Sequence, residues 1–390
     1  MRFLDDLAAR RRFGIKPGLE TIRTICAAIG NPQDGFPAVH VAGTNGKGAV
    51  CAILDAALRA SGRRVCRYVS PHLVRINERF TVDGVPASDE QLEASAAKIA
   101  SVAPAGTTFF EALTAIAFDI FASAKPDFAI LECGLGGRLD ATNVCRPALS
   151  VITRIGLDHC DWLGETVEKI AAEKAGIIKP GVPVVLGANS PAIRRVVEER
   201  ARAAGAPFAY APDMASADDV PDDFSLSGDF NIENAVTAIA ALSVLGVKPT
   251  GFGKVVWPGR FQRIGRFIVD GAHNPPAAEA LAASLEGKVD LVAGFCDDKD
   301  VLDFLRTIAP KVRKAYSVAT NNPRSRSAES TAAAMAEVGM DAMACASLDE
   351  ALSRSSGETL VCGSLFLAGE ALVALGAYPW QPRFDPAEKP

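Results

Sequence analysis

One segment, Ala38-Val39-His40-Val41-Ala42-Gly43-Thr44-Asn45-Gly46-Lys47-Gly48-Ala49-Val50, constrains the fold of this chain more than any other. It reads as a short apolar strand, a glycine-studded turn with one lysine, and the start of an apolar-periodic helix. Glycines permit the tight turn, backbone N–H groups point inward at the helix N-terminus, and the Lys47 ammonium can follow the β- and γ-phosphates of a nucleoside triphosphate. The wording departs from G-x-x-x-x-G-K-[ST] in two places. Val41 stands where the first glycine belongs, and Gly48-Ala49 follows the lysine where a magnesium-binding hydroxyl is usual. On this stretch alone a purely structural loop remains the alternative.

The rest of the chain repeats the strand-then-helix rhythm that marks parallel sheets covered by helices. Strands are expected at Ala38–Ala42, Arg64–Val69, Phe128–Glu132, Leu149–Ile155 and Val182–Gly187, then at Arg266–Asp270, Leu291–Gly294, Ala315–Ala319 and Thr359–Gly363. The two series suggest two α/β units in tandem. Pro258-Gly259 punctuates the chain between them, so the expected division is 1–258, a linker at 259–265, and 266–390. Asp213–Asp223 reads as a polar loop, and the C-terminus as a Pro-rich tail.

Composition sets the outer limits. With 49% hydrophobic and 22% charged residues the chain is an ordinary globular protein, and a net charge of −5 argues against a non-specific hold on nucleic acid. Arg10-Arg11-Arg12 is more simply a solvated helix end. Nine scattered cysteines without C-x-x-C spacing suggest reduced, buried small residues. No signal peptide or bilayer-spanning stretch is legible, so a cytoplasmic protein, without membrane or nucleic-acid partners, is expected.

In open parallel sheets ligands sit at the carboxyl ends of strands. Glu132 ends one strand there and precedes Cys133-Gly134-Leu135-Gly136-Gly137, a place where Mg²⁺ is commonly held. A solvated strand-end acid is the plainer explanation. Of four histidines, His159 is best placed for a metal, whereas His40 lies inside a strand and is expected to be structural. Lys174 is unusual. If Thr166 caps a helix, Val167, Ile170, Ala171 and Lys174 share its apolar stripe, and Gly176 ends it. Either the lysine snorkels or pairs with an acid, or burial lowers its pKa and frees the amine for chemistry. Asp270-Gly271-Ala272-His273 and Asp297-Asp298-Lys299-Asp300 follow later strands.

Taken in order, these segments resemble folylpolyglutamate synthase/dihydrofolate synthase, the folate branch of the Mur ligase superfamily. The matching stretches are His40–Gly48, Tyr68–Arg79, Thr108–Thr114, Glu132–Asn143, Ile155–His159, Glu173–Lys179, Trp257–Arg260, Asp270–Pro275 and Gly363–Leu365. The resemblance implies an N-terminal ATPase domain of the P-loop type, with a parallel-rich sheet, and a smaller Rossmann-like C-terminal α/β domain, the active site between them. It implies a ligase that activates an acid as an acyl phosphate and joins it to L-glutamate, the acid being dihydropteroate, a reduced folate, or both.

Residue by residue, the resemblance places Gly43, Thr44, Asn45, Gly46, Lys47, Gly48, Asn234, Arg260 and Asp270 on ATP. Ser70, Glu132 and His159 match magnesium ligands, with Mg²⁺ in two sites and a monovalent cation as a further candidate. Lys47, His159 and Lys174 are the implied catalytic groups, Lys174 as a carbamate. Thr108, Phe109, Phe110, Glu111, Leu139, Asp140 and Ala141 fall on the pteroate site, although two adjacent phenylalanines are core by default. A monomer is expected. Ala49, the Gly228–Asn234 wording and a short, hairpin-like stretch between Arg260 and Asp270 depart from the family pattern. Rival expectations are a Mur-type ligase for another acid and a weakened folate- or nucleotide-binding relative.

Overall fold

The computed structural model describes residues 3–4, 18–297 and 301–380. Arg10-Arg11-Arg12, Asp298-Lys299-Asp300 and the Pro-rich tail beyond 380 lie outside them. Contacts divide the chain into two compact units. One comprises Met1–His72, Ile76–Ser225 and Asn231–Val256; the other comprises Leu73–Arg75, Leu226–Phe230 and Trp257–Pro390.

The first unit holds β1 (Ala38–Ala42), β2 (Val65–Tyr68), β3 (Phe80–Val82), β4 (Val85–Pro86), β5 (Phe128–Glu132), β6 (Leu149–Ile152), β7 (Val184–Leu186) and β8 (Phe208–Tyr210). They form one sheet in the order β4-β3-β2-β5-β1-β6-β7-β8. From β2 to β8 every pairing is parallel, while β3 and β4 add an antiparallel edge. All five residues of β1 are buried, as expected of a central strand covered on both faces. Phe118 and Phe121 of the helix Phe109–Ala124 pack in one apolar cluster, and Ile170, Val184 and Val197 in another.

The second unit holds β9 (Gln262–Ile264), β10 (Phe267–Val269), β11 (Val289–Ala293), β12 (Val312–Ser317), β13 (Ala342–Ala344) and β14 (Thr359–Cys362), in the order β13-β12-β11-β14-β10-β9. Only β9 pairs antiparallel. Residues 73–75 belong here because the Leu73 carbonyl lies against Gly369 of the helix Leu365–Ala374 and its side chain packs on the apolar cluster that includes Ala368.

All nine expected strands are present, and among the described residues five others accompany them. The β3–β4 hairpin turns at Asp83-Gly84, both at positive φ (49° and 80°), the conformation that a two-residue hairpin loop needs. Residues 259–265, expected as a linker, contain β9, so the hairpin between Arg260 and Asp270 is part of the sheet. Asp213–Asp223 is not wholly a loop, since the helical turns Ala211–Met214 and Ala217–Asp219 cross it. The strand expected to reach Ile155 stops at Ile152, because the next residues turn to bond the phosphate loop. Among the described residues no helix is long and apolar enough to cross a membrane.

Candidate functional site

The phosphate loop leaves the buried end of β1 and enters the helix Lys47–Ala60 through Gly46, whose φ of 86° is left-handed. A Cβ at Gly43 would overlap Thr153 Oγ1, and one at Gly46 would overlap Asn234 Oδ1, so glycine is required at both. The N–H groups of Thr44 and Asn45 donate to the Arg154 carbonyl at 2.9 and 3.2 Å. The Thr44 hydroxyl donates to Gly156 O and accepts from Gly156 N, both at 3.1 Å. Thr44 and Asn45, expected on the triphosphate, thus spend these groups in shaping the loop. First-turn N–H groups of the helix that starts at Lys47 have no intrahelical acceptor and form the anion-binding end.

Two lysines meet at one carbonyl. Lys47 Nζ donates to Gly43 O (3.2 Å) and Thr44 O (3.1 Å), and Lys174 Nζ donates to the same Gly43 O at 2.7 Å. Lys174 closes the helix Val167–Lys174, capped by Thr166 Oγ1, with Ile170 and Ala171 fully buried on its stripe. Only 4% exposed, its ammonium is pushed down to about 7 by burial and then by the Lys47 charge. Gly176 does not terminate this helix as a left-handed cap. It lies within the 3-10 turn Ala175–Ile177, where a Cβ would overlap Arg138. Asn234, on the helix Asp229–Val244, joins the same loop, holding Asn231 Oδ1 through Nδ2 at 3.2 Å.

At the tip of β5, Glu132 is 4% exposed and its Oε2 accepts the Ser70 N–H at 3.0 Å. His159 does not complete a preassembled acidic cluster with them. It sits in a left-handed turn (φ 52°) after β6, its side chain 49% exposed and its Nε2 3.7 Å from Asp158 Oδ1. Among the described residues no group of three or more His, Cys, Asp or Glu could hold a metal. The Glu132 carboxylate and the Ser70 hydroxyl are oxygen donors of the kind that a hard divalent ion such as Mg²⁺ takes, with water and phosphate completing its shell, whereas the His159 imidazole is a softer and less usual ligand for it. They do not fit a closed, all-protein metal cage.

The residues expected on the pteroate site divide into rings and supports. Thr108 and Glu111 form a reciprocal capping box for the helix Phe109–Ala124: the Thr108 N–H and hydroxyl both reach Glu111 Oε2 at 2.8 Å, and Glu111 N returns to Thr108 Oγ1. Thr108→Ala should lower unfolding stability by about 1 kcal/mol, measured by denaturant titration, an unchanged midpoint being the contrary result. Phe109 lies 5.9 Å beneath the Arg79 guanidinium, whose Nε donates to His72 Nδ1 at 2.9 Å. Phe110 packs against Gly134 and Tyr68.

Asp140 is a support too. Its Oδ2 accepts the N–H groups of Gly134 and Leu135 at 2.9 Å, and its Oδ1 accepts the Thr142 N–H (3.0 Å) and the Thr142 hydroxyl (2.5 Å). Burial nevertheless raises its pKa. These bonds fix the glycine-rich loop after Glu132, with Leu139 half-buried and Ala141 buried beside it. His40 stands behind them, its Nε2 2.7 Å from Thr142 Oγ1 and 3.1 Å from Cys133 Sγ. Burial, aided by Lys179, pushes it down to about 3, so it is a neutral core histidine, as expected.

In the second unit, Asp270 follows β10 and accepts the N–H groups of Phe261 and Ala272, each at 2.7 Å. Burial raises its pKa while the Arg260 charge opposes the rise. Arg260 stands over Trp257 at 5.9 Å and so close to Gly271 that a Cβ there would overlap it.

The Mur ligase middle domain matches residues 41–242, and the Mur ligase glutamate ligase domain matches 259–365. The dihydrofolate synthase/folylpolyglutamate synthase of Escherichia coli (strain K12) is 33% identical over 411 residues, covering 97% of this chain and 95% of that one. Among solved structures, E. coli FolC in complex with DHPP and ADP superposes with a TM-score of 0.84 at 31% identity, over 96% of this chain and 97% of that one. The bifunctional folylpolyglutamate synthase/dihydrofolate synthase of Yersinia pestis, complexed with AMPPNP and Mn ion, gives 0.84 at 32% identity, over 96% and 97%.

Proposed function

We propose how this site works from one premise: the chain belongs to the folylpolyglutamate synthase/dihydrofolate synthase branch of the Mur ligases, ATP-dependent enzymes that join L-glutamate to folate-type acids. ATP takes the loop Gly43–Gly48, with its phosphates at the start of the helix Lys47–Ala60. Lys47 leaves the Gly43 and Thr44 carbonyls for the β- and γ-phosphate oxygens, and Asn234 backs Gly46. On the second unit, Arg260 and Asp270 are also assigned to ATP. Phe109 and Phe110 offer flat apolar surface to a pteroate ring, Leu139 and Ala141 are assigned to the same site, and Thr108, Glu111 and Asp140 brace it.

The acceptor carboxylate oxygen bonds to the γ-phosphorus as the bond to ADP breaks, giving an acyl phosphate. The amine of glutamate then bonds to the acyl carbon, phosphate leaves, and the amine proton passes to water. Lys47 serves the first step by positioning the phosphates and countering their charge, which is most of what phosphoryl transfer asks of a protein. Ser70, Glu132 and His159 would hold Mg²⁺, with a second Mg²⁺ and a monovalent cation as further candidates, and a bound divalent ion would supply charge neutralisation at the transferred phosphoryl group.

The observation that carries this reading is the meeting of Lys47 and Lys174 on the Gly43 carbonyl, which puts the second lysine at the nucleotide loop. Phosphate release from Mg-ATP and L-glutamate is expected with dihydropteroate, with tetrahydrofolate, or with both. Release with neither rejects it. We also place the protein in the cytoplasm as a monomer acting on small molecules, in keeping with nine free cysteines of which eight are buried.

A further inference from the structure

The residues just past β6 are held by far more bonds than a connecting loop requires. On one side the phosphate loop grips them: Thr44 N and Asn45 N on Arg154 O, the Thr44 hydroxyl on both backbone groups of Gly156, and Thr153 Oγ1 donating to Asn45 O at 2.8 Å. On the other side a single side chain does the same work. Asn189, just beyond β7, accepts the Ile155 N–H at 2.8 Å through Oδ1 and donates through Nδ2 to Thr153 O and Gly187 O, both at 3.1 Å.

Its amide takes over where the backbone ladder stops. The Gly187 N–H still reaches Ile152 O at 2.8 Å, and beyond that pair the Asn189 side chain supplies the donor and acceptor that another strand residue would have provided. Asn189 is itself braced, since its backbone N–H donates to Tyr210 Oη (3.3 Å) and its carbonyl accepts from the same hydroxyl (3.1 Å). Past this double grip the chain becomes exposed, at Leu157 and at His159 in its left-handed turn.

We propose that Asn189 is a positioning residue for the metal-nucleotide complex, fixing residues 153–155 against the phosphate loop and thereby the take-off of the turn that presents His159. The proposal rests on the assignment of His159 to the divalent ion. The Asn189 side chain bonds backbone groups of Ile155, Thr153 and Gly187, and so acts through the segment that leads to His159, as residues behind a ligand commonly do.

The test is a double-mutant cycle on the full chain, reading Mn²⁺ binding in the presence of ADP by calorimetry, with ADP binding in the absence of metal as the companion measurement. Asn189→Ala should weaken Mn²⁺ by about tenfold, the low end for such supports, while metal-free ADP affinity stays within about twofold. In a His159→Ala background Asn189→Ala should have no further effect on Mn²⁺, since both act through one group. If Asn189→Ala does not fold, Asn189→Asp, which keeps the acceptor for Ile155, is read in the same cycle. Equal loss of metal-dependent and metal-free ADP binding, or full additivity with His159→Ala, would show a merely structural loop and overturn the proposal. A His159→Ala protein with unchanged Mn²⁺ affinity would instead remove the assignment beneath it.

Discussion

Lys47→Ala should lower kcat by about a hundred- to a thousandfold, the usual scale for removing one electrostatic group aimed at transition-state charge. Its thermal midpoint should stay close to that of the parent. Lys47 Nζ bonds two carbonyls of its own loop, Gly43 O and Thr44 O, and no other segment of the fold hangs on those bonds. Steady-state phosphate release and a thermal melt check the two halves together. A variant with parental kcat would take Lys47 out of the reaction, and one that loses its melt would make it structural.

Lys174→Ala should lower kcat to a similar degree, for a different physical reason. Two ammonium groups on one carbonyl repel each other, and the Lys47 charge helps to push Lys174 down to about 7. As pH rises through about 7 the Lys174 amine loses its proton and can add CO₂: an N–C bond forms, a proton leaves, and the cation becomes a carbamate anion. Repulsion toward Lys47 then turns into attraction. Activity should therefore rise with pH across that range and depend on dissolved CO₂. Labelled ¹³CO₂ should give a protein carbamate resonance in the parent and none in Lys174→Ala. Absence of the resonance in both, with activity indifferent to CO₂, would leave Lys174 an unmodified amine.

The same shift bears on stability. Between about 7 and the ordinary lysine value of 10.5 the unfolded chain binds the proton and the folded one does not, so stability from unmodified Lys174 grows as pH rises through that window. It is fully present above 10.5 and lost as pH falls through about 7.

What was legible in the sequence was what neighbours along the chain decide. The strand, glycine turn and lysine-led helix of residues 38–60 stand as read, because each piece is set by backbone geometry within a few residues. The stripe Ile170, Ala171, Lys174 is likewise local, and it predicted a buried lysine, though not which carbonyl it would find. Long-range partners were not legible. Asn234 reaches Gly46 from nearly two hundred residues away, and Asn189 carries no local signal for its hold on Thr153 and Ile155. Asp140 and the Thr108–Glu111 pair illustrate another limit: a motif marks where a site is without saying which residues line it and which brace it. The short edge strands β8 and β13 have too few residues to show a period, whereas Asp83-Gly84 was a hairpin signal in plain view.

In the proposed reaction one phosphoryl group passes from ATP to the acceptor's own carboxylate. An acceptor carrying ¹⁸O in that carboxylate, turned over with Mg-ATP and L-glutamate, follows it directly by mass spectrometry of the released phosphate. One ¹⁸O atom should appear in the phosphate for each amide bond formed. Unlabelled phosphate alongside amide product would contradict activation through an acyl phosphate.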